Sequence, residues 1–219
     1  MGHRSDHLAI IGLGATGCAL LPLASVLPFR RITLIDGDTI EEGNLVRQPL
    51  YGRADTGRYK VKVAAERTKH LHAGRILSIE KRFLDRTNIG ELLNDATIVA
   101  DCTDDAHARS MIDMHCGEHR IPLVSGAVHG AQLQVVALHA DRNGSSLRSF
   151  FPGRTGPAQD GCDMRDVPVE AVAMAAALMV RRMRKLIGSE ADTGTSMDLI
   201  DLASGEWHRI LPPLHITAP

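Results

Sequence analysis

The 219-residue chain has the size of one globular domain and is long enough to bury a substantial core without crosslinks. Its 25 Lys and Arg nearly balance 26 Asp and Glu, and the resulting net charge of −1 excludes the basic bias of a general nucleic-acid-binding protein. A hydrophobic content of 44% excludes global disorder, and an aromatic content of only 3% means that the core is mainly aliphatic.

Short apolar runs alternate with longer amphipathic segments along the first two thirds of the chain. The runs predict strands buried on both faces, and the segments between them predict helices. In chain order the predicted elements are strand 7–12, helix 15–27, strand 31–36, helix 60–71, strand 75–80, helix 88–94, strand 97–101, helix 106–118 and strands 122–125 and 132–139. This alternation predicts an α/β fold with a Rossmann-like, mainly parallel sheet flanked by helices.

The last third of the chain has a different pattern. Residues 141–166 contain many glycines, prolines and polar residues and predict a long loop, and such loops are usually functional or mobile. The apolar stretch 167–180 predicts a buried helix with a basic last turn. Segments 197–202 and 207–211 predict a terminal hairpin, so we expect antiparallel strands at the C-terminal end of the sheet.

Cysteine content and the absence of targeting segments suggest a cytoplasmic protein. The four cysteines include no CxxC pair and are too few for a disulfide scaffold in a chain of this length. The first ten residues lack the apolar run of a signal peptide. The helix predicted from residue 167 contains Pro168 and Glu170 and is too short and interrupted to span a bilayer.

A glycine-rich turn follows the first predicted strand and begins the first predicted helix. Gly12, Gly14 and Gly17 permit a tight turn and a close backbone approach, and the free N–H groups of a helix N-terminus attract phosphate. Asp36 ends the second predicted strand, where a carboxylate can accept hydrogen bonds from ribose hydroxyls. The pattern predicts a nucleotide site without separating NAD from ATP, and a tight turn without a ligand is the alternative.

The segment after Asp36 favours ATP over NAD. An NAD site has no evident use for Asn44, Arg47 and Lys60 beyond the ribose acid, whereas a triphosphate does. Arg47 can bind two phosphate oxygens at once, Lys60 supplies a point charge, and Asn44 can donate to phosphate. Asp104, after the fourth predicted strand, could hold Mg²⁺, which favours carboxylate and phosphate oxygens. These groups suit in-line attack at a magnesium-bound phosphate.

The order of these motifs resembles that of the ThiF/MoeB/HesA adenylyltransferases, the bacterial relatives of ubiquitin-activating enzymes. The resemblance is clear over residues 8–139 and weaker through residues 169–171 and the terminal hairpin. Its most specific motifs are Asp36-x-Asp38, Asn44-Leu-x-Arg47-Gln48, Gly57-x-x-Lys60, Asp101-Cys-Thr-Asp104 with Arg109, and Ile121-Pro-Leu-Val-Ser-Gly126.

The resemblance implies an enzyme that binds ATP, Mg²⁺ and the C-terminal Gly-Gly tail of a small ubiquitin-like or sulfur-carrier protein. The tail carboxylate, ionised at pH 7, would attack the α-phosphate without a general base and give an acyl-adenylate and pyrophosphate. Residues 1–219 would be a single ThiF-type adenylation domain, with a nucleotide-binding half at 1–130 and a partner or substrate half at 131–219. Family members are usually homodimers, and no membrane or nucleic-acid partner is implied.

The resemblance also assigns individual residues. Gly14 and Ala15 would line the phosphates, and Asp36 would bind the ribose. Arg47, Lys60 and Asp104 would be catalytic, the two cations neutralising charge on the pentacoordinate phosphate and Asp104 holding Mg²⁺. The remaining nucleotide-binding positions are Gly12, Gly17, Asn44, Gln48 and Asp105, the last where the family usually has Asn.

Several features depart from the family pattern. Ala15 replaces the middle glycine of the usual GxGGxG loop, but Ala is small and phosphate binding should survive. Only a short segment precedes Gly12, whereas the family has a helical segment with an Arg that reaches the partner's ATP, so a trans contribution is in doubt. The lack of CxxC pairs predicts no structural zinc.

Cys162 lies near the position of a reactive family cysteine. The neighbouring acids disfavour a thiolate, so we interpret Cys162 as a loop residue without chemistry. A catalytic role for its thiol is the alternative.

Two other functions stay open at this point. An NAD(P)-dependent oxidoreductase would share the glycine turn and Asp36. A catalytically degenerate family member could bind a partner through the same fold, and its only support is Ala15 together with the short N-terminal segment.

Overall fold

A computed structural model of the protein describes residues 6–140, 145–150, 167–188 and 195–212. Its strands are β1 (His7–Ile11), β2 (Arg31–Ile35), β3 (Ile76–Glu80), β4 (Ile98–Asp101), β5 (Leu123–His129), β6 (Gln132–Leu138), β7 (Ser196–Asp201) and β8 (Glu206–Ile210). Its α-helices are α1 (Ala15–Leu23), α2 (Lys60–Thr68), α3 (Ile89–Leu93), α4 (Ala106–His119) and α5 (Val169–Gly188). Short 3₁₀ helices are formed by Ala24–Val26, Glu42–Arg47, Arg53–Asp55, Lys69–His72 and Leu147–Phe150.

The described strands form one eight-stranded sheet in the order β3-β2-β1-β4-β5-β6-β7-β8. The first five strands in this order are parallel, and β6, β7 and β8 are each antiparallel to their preceding neighbour. This confirms the predicted α/β fold with antiparallel C-terminal strands. The strand order reverses between β1 and β4, and ligands of such sheets bind at that reversal, outside the carboxyl ends of the strands.

Aliphatic side chains cover both faces of the sheet. Leu8 and Ile10 of β1 pack into a core with α1, α2 and α5, whereas Ala9 and Ile11 point to the opposite face, where α3 and α4 pack. Because side chains alternate across a strand, a strand covered on both faces carries apolar side chains at consecutive positions. All five residues of β1 are buried, which explains the unbroken apolar run that follows His7 in the sequence.

Several element boundaries differ from the predictions. The first helix ends at Leu23 rather than 27, and α2 ends at Thr68 rather than 71, because the last turn of each tightens into a 3₁₀ helix. The strand predicted at 122–125 extends to His129, because β6 pairs with it in antiparallel register from Leu123 to His129. The terminal hairpin is confirmed as β7 and β8.

Two regions complete the description. Most of the long loop predicted at 141–166 lies outside the described residues, as does Cys162. None of the helices formed by the described residues is both long enough and apolar enough to cross a membrane.

Candidate active site

The glycine turn between β1 and α1 is shaped by backbone contacts that exclude side chains. Gly12 has a φ of +85°, which L side chains rarely adopt. A Cβ at Gly17 would lie 2.0 Å from the Gly12 carbonyl oxygen, so this helical position also requires glycine. At Gly14, by contrast, the nearest atom to an added Cβ would be Gln48 Nε2 at 3.9 Å. Gly14 is the N-cap of α1, so the turn leads directly into the free N–H groups of a helix start.

Asp36 follows β2 and lies against this turn. Its Oδ2 accepts a 2.6 Å hydrogen bond from the backbone N–H of Leu13, and its Oδ1 accepts one of 2.8 Å from the N–H of Asp38. Burial raises the pKa of the Asp36 carboxyl, although these two hydrogen bonds and the charge of Lys60 act in the opposite direction. A carboxylate has about four acceptor positions, so an ionised Asp36 retains acceptors for ribose hydroxyls.

Lys60 is the first residue of α2 and lies beside Asp38. Its Nζ forms an ion pair with Asp38 Oδ2, and its backbone N–H donates to the Asp38 carbonyl at 3.0 Å. The Lys60 side chain is buried while that of Asp38 is 40% exposed. Lys60 also exerts an electrostatic effect on Asp36. The lysine is therefore held close to Asp36, the carboxylate that follows β2.

Arg47 and Gln48 end the 3₁₀ helix Glu42–Arg47 and are both buried. Arg47 Nη2 donates to Asn44 Oδ1 at 2.6 Å, and Nη1 donates to the Gly43 carbonyl at 3.4 Å. Gln48 Oε1 is buried without a hydrogen-bond partner among the described residues. An unpaired buried acceptor of this kind is costly, and a bound donor would satisfy it.

The residues after β4 form a braced loop. Asp101, at the end of β4, accepts hydrogen bonds of 2.7 Å from Ser125 Oγ and Thr103 Oγ1. Arg109 Nη2 contacts the Thr103 carbonyl and lies 3.2 Å from the Gly126 carbonyl, so it joins the loop after β4 to the middle of β5. This bracing leaves Asp104 exposed to solvent at the loop.

Asp105 has a structural role, as a helix cap, that was not predicted from the sequence. Its Oδ2 accepts a 2.6 Å hydrogen bond from the backbone N–H of Ala108, which makes it the N-cap of α4. Such a cap satisfies one of the free N–H groups at a helix start. One carboxylate oxygen of Asp105 is thus already committed within the fold.

The strand register brings five of the predicted residues to one edge of the sheet. Ile11 at the end of β1 is paired with Ile35 of β2 on one side and Asp101 of β4 on the other. The residues that follow these three strands therefore meet at the strand-order reversal; they are Gly12, Gly14, Ala15, Asp36 and Asp104. The described residues include no group of three or more His, Cys, Asp or Glu side chains that could hold a metal. Asp104 could hold magnesium together with phosphate oxygens, which is the usual manner in which this ion binds with nucleotides.

One site residue was missed by sequence reasoning. Tyr51 is buried, and its hydroxyl donates a 2.8 Å hydrogen bond to the carbonyl oxygen of Leu13 inside the glycine turn. The two residues are 38 positions apart and no motif links them. Only the scarcity of aromatic residues in the chain could have drawn attention to Tyr51.

Comparison with known proteins adds a family and several relatives. The model of the ThiF family matches residues 3–215. The molybdopterin-synthase adenylyltransferase of Haemophilus influenzae is 29% identical over 67% of this chain and 60% of its own length. The adenylyltransferase and sulfurtransferase MOCS3 of Mus musculus is 30% identical over 92% of this chain and 44% of its own length. The chain thus spans about half the length of the curated relatives it matches.

Solved structures support the fold. The crystal structure of PaaA has a TM-score of 0.76 and 19% identity and covers 94% of this chain and 64% of its own. Escherichia coli MccB with ATP has a TM-score of 0.74 and 18% identity over 99% of this chain and 67% of its own. At these identities the likeness concerns the fold alone.

Proposed function

This chain belongs to the ThiF family, and on that basis we propose that it is an ATP-dependent adenylyltransferase. It would activate the C-terminal glycine carboxylate of a ubiquitin-like or sulfur-carrier protein. The observation that carries the proposal is the meeting of the glycine turn, Asp36 and Lys60 at the strand-order reversal. The names of the curated relatives, several of which are adenylyltransferases, support the same activity.

In this proposal the nucleotide lies across the carboxyl ends of β1, β2 and β4. Its phosphates face the N-terminus of α1 at Gly14 and Ala15, where N–H groups and the helix dipole favour negative charge. Its ribose hydroxyls donate to Asp36. Arg47 and Lys60 supply positive charge to the triphosphate, and because they are already held by Asn44 and Asp38, they need little reorganisation when ATP arrives.

The reaction is a displacement at the α-phosphate. A tail carboxylate oxygen forms a bond to phosphorus while the bond to the bridging oxygen breaks, and pyrophosphate leaves with that electron pair. Arg47 and Lys60 neutralise the charge that develops on the phosphate oxygens. Asp104 is the residue that would hold Mg²⁺, which would polarise the phosphate and help pyrophosphate to leave.

Further parts of the proposal rest on the family resemblance. Residues 1–130 would form the nucleotide-binding half of a single domain, and residues 131–219 the half that binds the partner. The protein would act as a cytoplasmic homodimer without structural zinc, and sedimentation showing a monomer at micromolar concentration would contradict the dimer. Cys162 is kept as a candidate catalytic thiol, and normal activity in a Cys162→Ser variant would exclude that role.

ATP–pyrophosphate exchange tests the proposal directly. Exchange should appear when a candidate carrier ending in Gly-Gly is supplied. It should be lost in Arg47→Ala and in Asp104→Ala but kept in Arg53→Ala, which removes an exposed arginine paired with Glu42. Normal exchange in both Arg47→Ala and Asp104→Ala would overturn the roles assigned to these residues.

The same samples distinguish the alternative functions. Calorimetric binding of a nicotinamide dinucleotide without binding of ATP would indicate an NAD(P)-dependent oxidoreductase. Stabilisation by ATP without exchange against any carrier would indicate a degenerate member that only binds a partner.

A further inference from the structure

We propose that Tyr51 is a positioning residue for the phosphate-binding turn. Its hydroxyl holds the carbonyl of Leu13 inside the fold and thereby directs the N–H of Gly14 into the nucleotide cleft. The inference rests on the proposed function in one respect, namely that the ligand of the turn carries phosphates.

The contacts of Leu13 show how firmly this residue is held. Its carbonyl oxygen accepts the 2.8 Å hydrogen bond from Tyr51 Oη and a longer one of 3.5 Å from Cys18 Sγ. Its N–H donates to Asp36 Oδ2 at 2.6 Å. Leu13 itself is completely buried. Both peptide groups of this residue are therefore anchored, one to the proposed ribose carboxylate and the other to the tyrosine.

The direction of the Gly14 N–H follows from peptide geometry. The described residues contain no cis peptide bond, so the Leu13–Gly14 peptide is trans and planar. In a trans peptide the C=O and the following N–H point in opposite directions. The carbonyl points to Tyr51 in the interior, and the Gly14 N–H consequently points outward, at the start of α1.

The need for an anchor follows from the glycines on both sides of Leu13. Glycine peptides rotate at low steric cost, and Gly12 and Gly14 flank the residue. If the Leu13–Gly14 peptide turned over, a carbonyl oxygen would face the phosphates and an N–H donor would be lost. The Tyr51 hydroxyl opposes this rotation. Burial raises the pKa of Tyr51 well above its usual value, so the hydroxyl keeps its proton and remains a donor.

Tyr51 also connects the glycine turn to the segment that contains Arg47 and Gln48. The backbone N–H of Tyr51 donates to the Gln48 carbonyl at 3.0 Å, which closes a turn directly after Arg47 and Gln48. The segment that would supply a cation to the triphosphate thus also anchors the loop that would bind its phosphates. A displacement of this segment would disturb both contacts together.

The test is Tyr51→Phe in the full-length chain, which removes the hydroxyl and keeps the ring. We expect ATP binding, measured by calorimetry, to weaken about five- to tenfold, the effect of one hydrogen bond. Adenosine binding should be unchanged, because its ribose uses Asp36. In the exchange assay KM for ATP should rise more than kcat falls. The matched control is Tyr59→Phe, the other tyrosine of the chain, which is exposed and should have no effect.

A second measurement does not depend on a ligand. Amide hydrogen exchange of residues 12–16 should become faster in Tyr51→Phe, whereas exchange in β1 and β2 should stay the same. Equal ATP affinity in the variant and the wild type, or an equal loss for ATP and adenosine, would overturn the inference while leaving the proposed function intact. A wild-type protein that fails to bind ATP would overturn the proposed function itself.

Discussion

The backbone nitrogen of Leu13 and Asp36 Oδ2 are 2.6 Å apart, so the glycine turn and the acid that follows β2 form one hydrogen-bonded unit. The second carboxylate oxygen is held by the N–H of Asp38 at 2.8 Å. Both donors are backbone groups fixed by the fold. The proposed ribose site is consequently built before any nucleotide arrives, at the price of a buried carboxylate.

Adenosine affinity should therefore depend on pH through Asp36. Burial raises the pKa of this carboxyl, and only the ionised form accepts hydrogen bonds with all its oxygens. Adenosine affinity should be full above the raised pKa and should decline as the pH falls through it. The decline should begin at a higher pH than it would for an ordinary Asp, whose pKa is about 3.9. Calorimetry from about pH 7 down to about pH 4 spans that range. A flat profile, or the same profile in Asp36→Asn, would contradict the assignment.

The Lys60–Asp38 pair predicts that ATP stabilises an Asp38→Asn variant more than the wild type. Without the carboxylate, the buried Lys60 ammonium loses its ion-pair partner, and the unliganded variant should lose about 1–3 kcal/mol of unfolding free energy. A triphosphate would replace the missing charge. Thermal unfolding with and without ATP measures the difference, and Glu42→Gln, which removes an exposed pair, is the control. An ATP shift no larger than that of the wild type would exclude contact between Lys60 and phosphate.

Asp105 should behave mainly as a helix cap. Asp105→Ala should lower the unfolding free energy by about 1 kcal/mol, because the N–H of Ala108 loses its acceptor. Asp105→Asn should leave stability almost unchanged, since Asn caps as well as Asp. It should also retain exchange activity, because the family usually has Asn here. Urea unfolding of both variants measures the effect, and equal destabilisation by Ala and Asn would show that charge matters more than capping.

Arg182 of α5 and Asp198 of β7 form a buried ion pair that should stabilise the C-terminal half of the sheet. Nη2 and Oδ2 are 2.6 Å apart, and Asp198 is fully buried. Asp198→Ala should cost about 3–5 kcal/mol, because it leaves the Arg182 charge buried without its partner. The double variant Arg182→Met with Asp198→Leu should cost less than the single change. Urea unfolding measures the unfolding free energy of both variants. A larger loss in the double variant than in Asp198→Ala would show that the pair contributes nothing.

The same pair predicts loss of stability in acid. Burial alone would raise the pKa of Asp198, but the charge of Arg182 and hydrogen bonds from Arg182, Trp207 and Arg209 outweigh it, and the pKa lies below its usual value. A lowered pKa stabilises the fold above the unfolded value of about 3.9, and this contribution is lost as the pH falls through the folded value. The wild type should lose more stability than the double variant below about pH 4.

Much of the fold could be predicted because it depends on local pattern. The strand β1 is buried at all five positions and apolar at the four after His7, as expected for a strand covered on both faces, and the glycine turn follows it directly. The end of β5 could not be predicted, because Gly126–His129 become a strand only through pairing with β6. The ends of α1 and α2 were also misplaced, since a final 3₁₀ turn has nearly the same side-chain pattern as an α-helix.

The sequence by itself determined the fold class, the family resemblance and the set of charged residues proposed to act on ATP. It could do so because strand and helix periodicity, glycine spacing and motif order are short-range properties of a chain. Only the tertiary structure decided how those groups are held. Lys60 forms an ion pair with Asp38, Asp105 caps the N-terminus of α4, and the Leu13 carbonyl accepts a hydrogen bond from Tyr51. The hydrogen bond from Tyr51 joins residues 38 positions apart, and such a contact exists only once β1 and the segment after β2 have packed together.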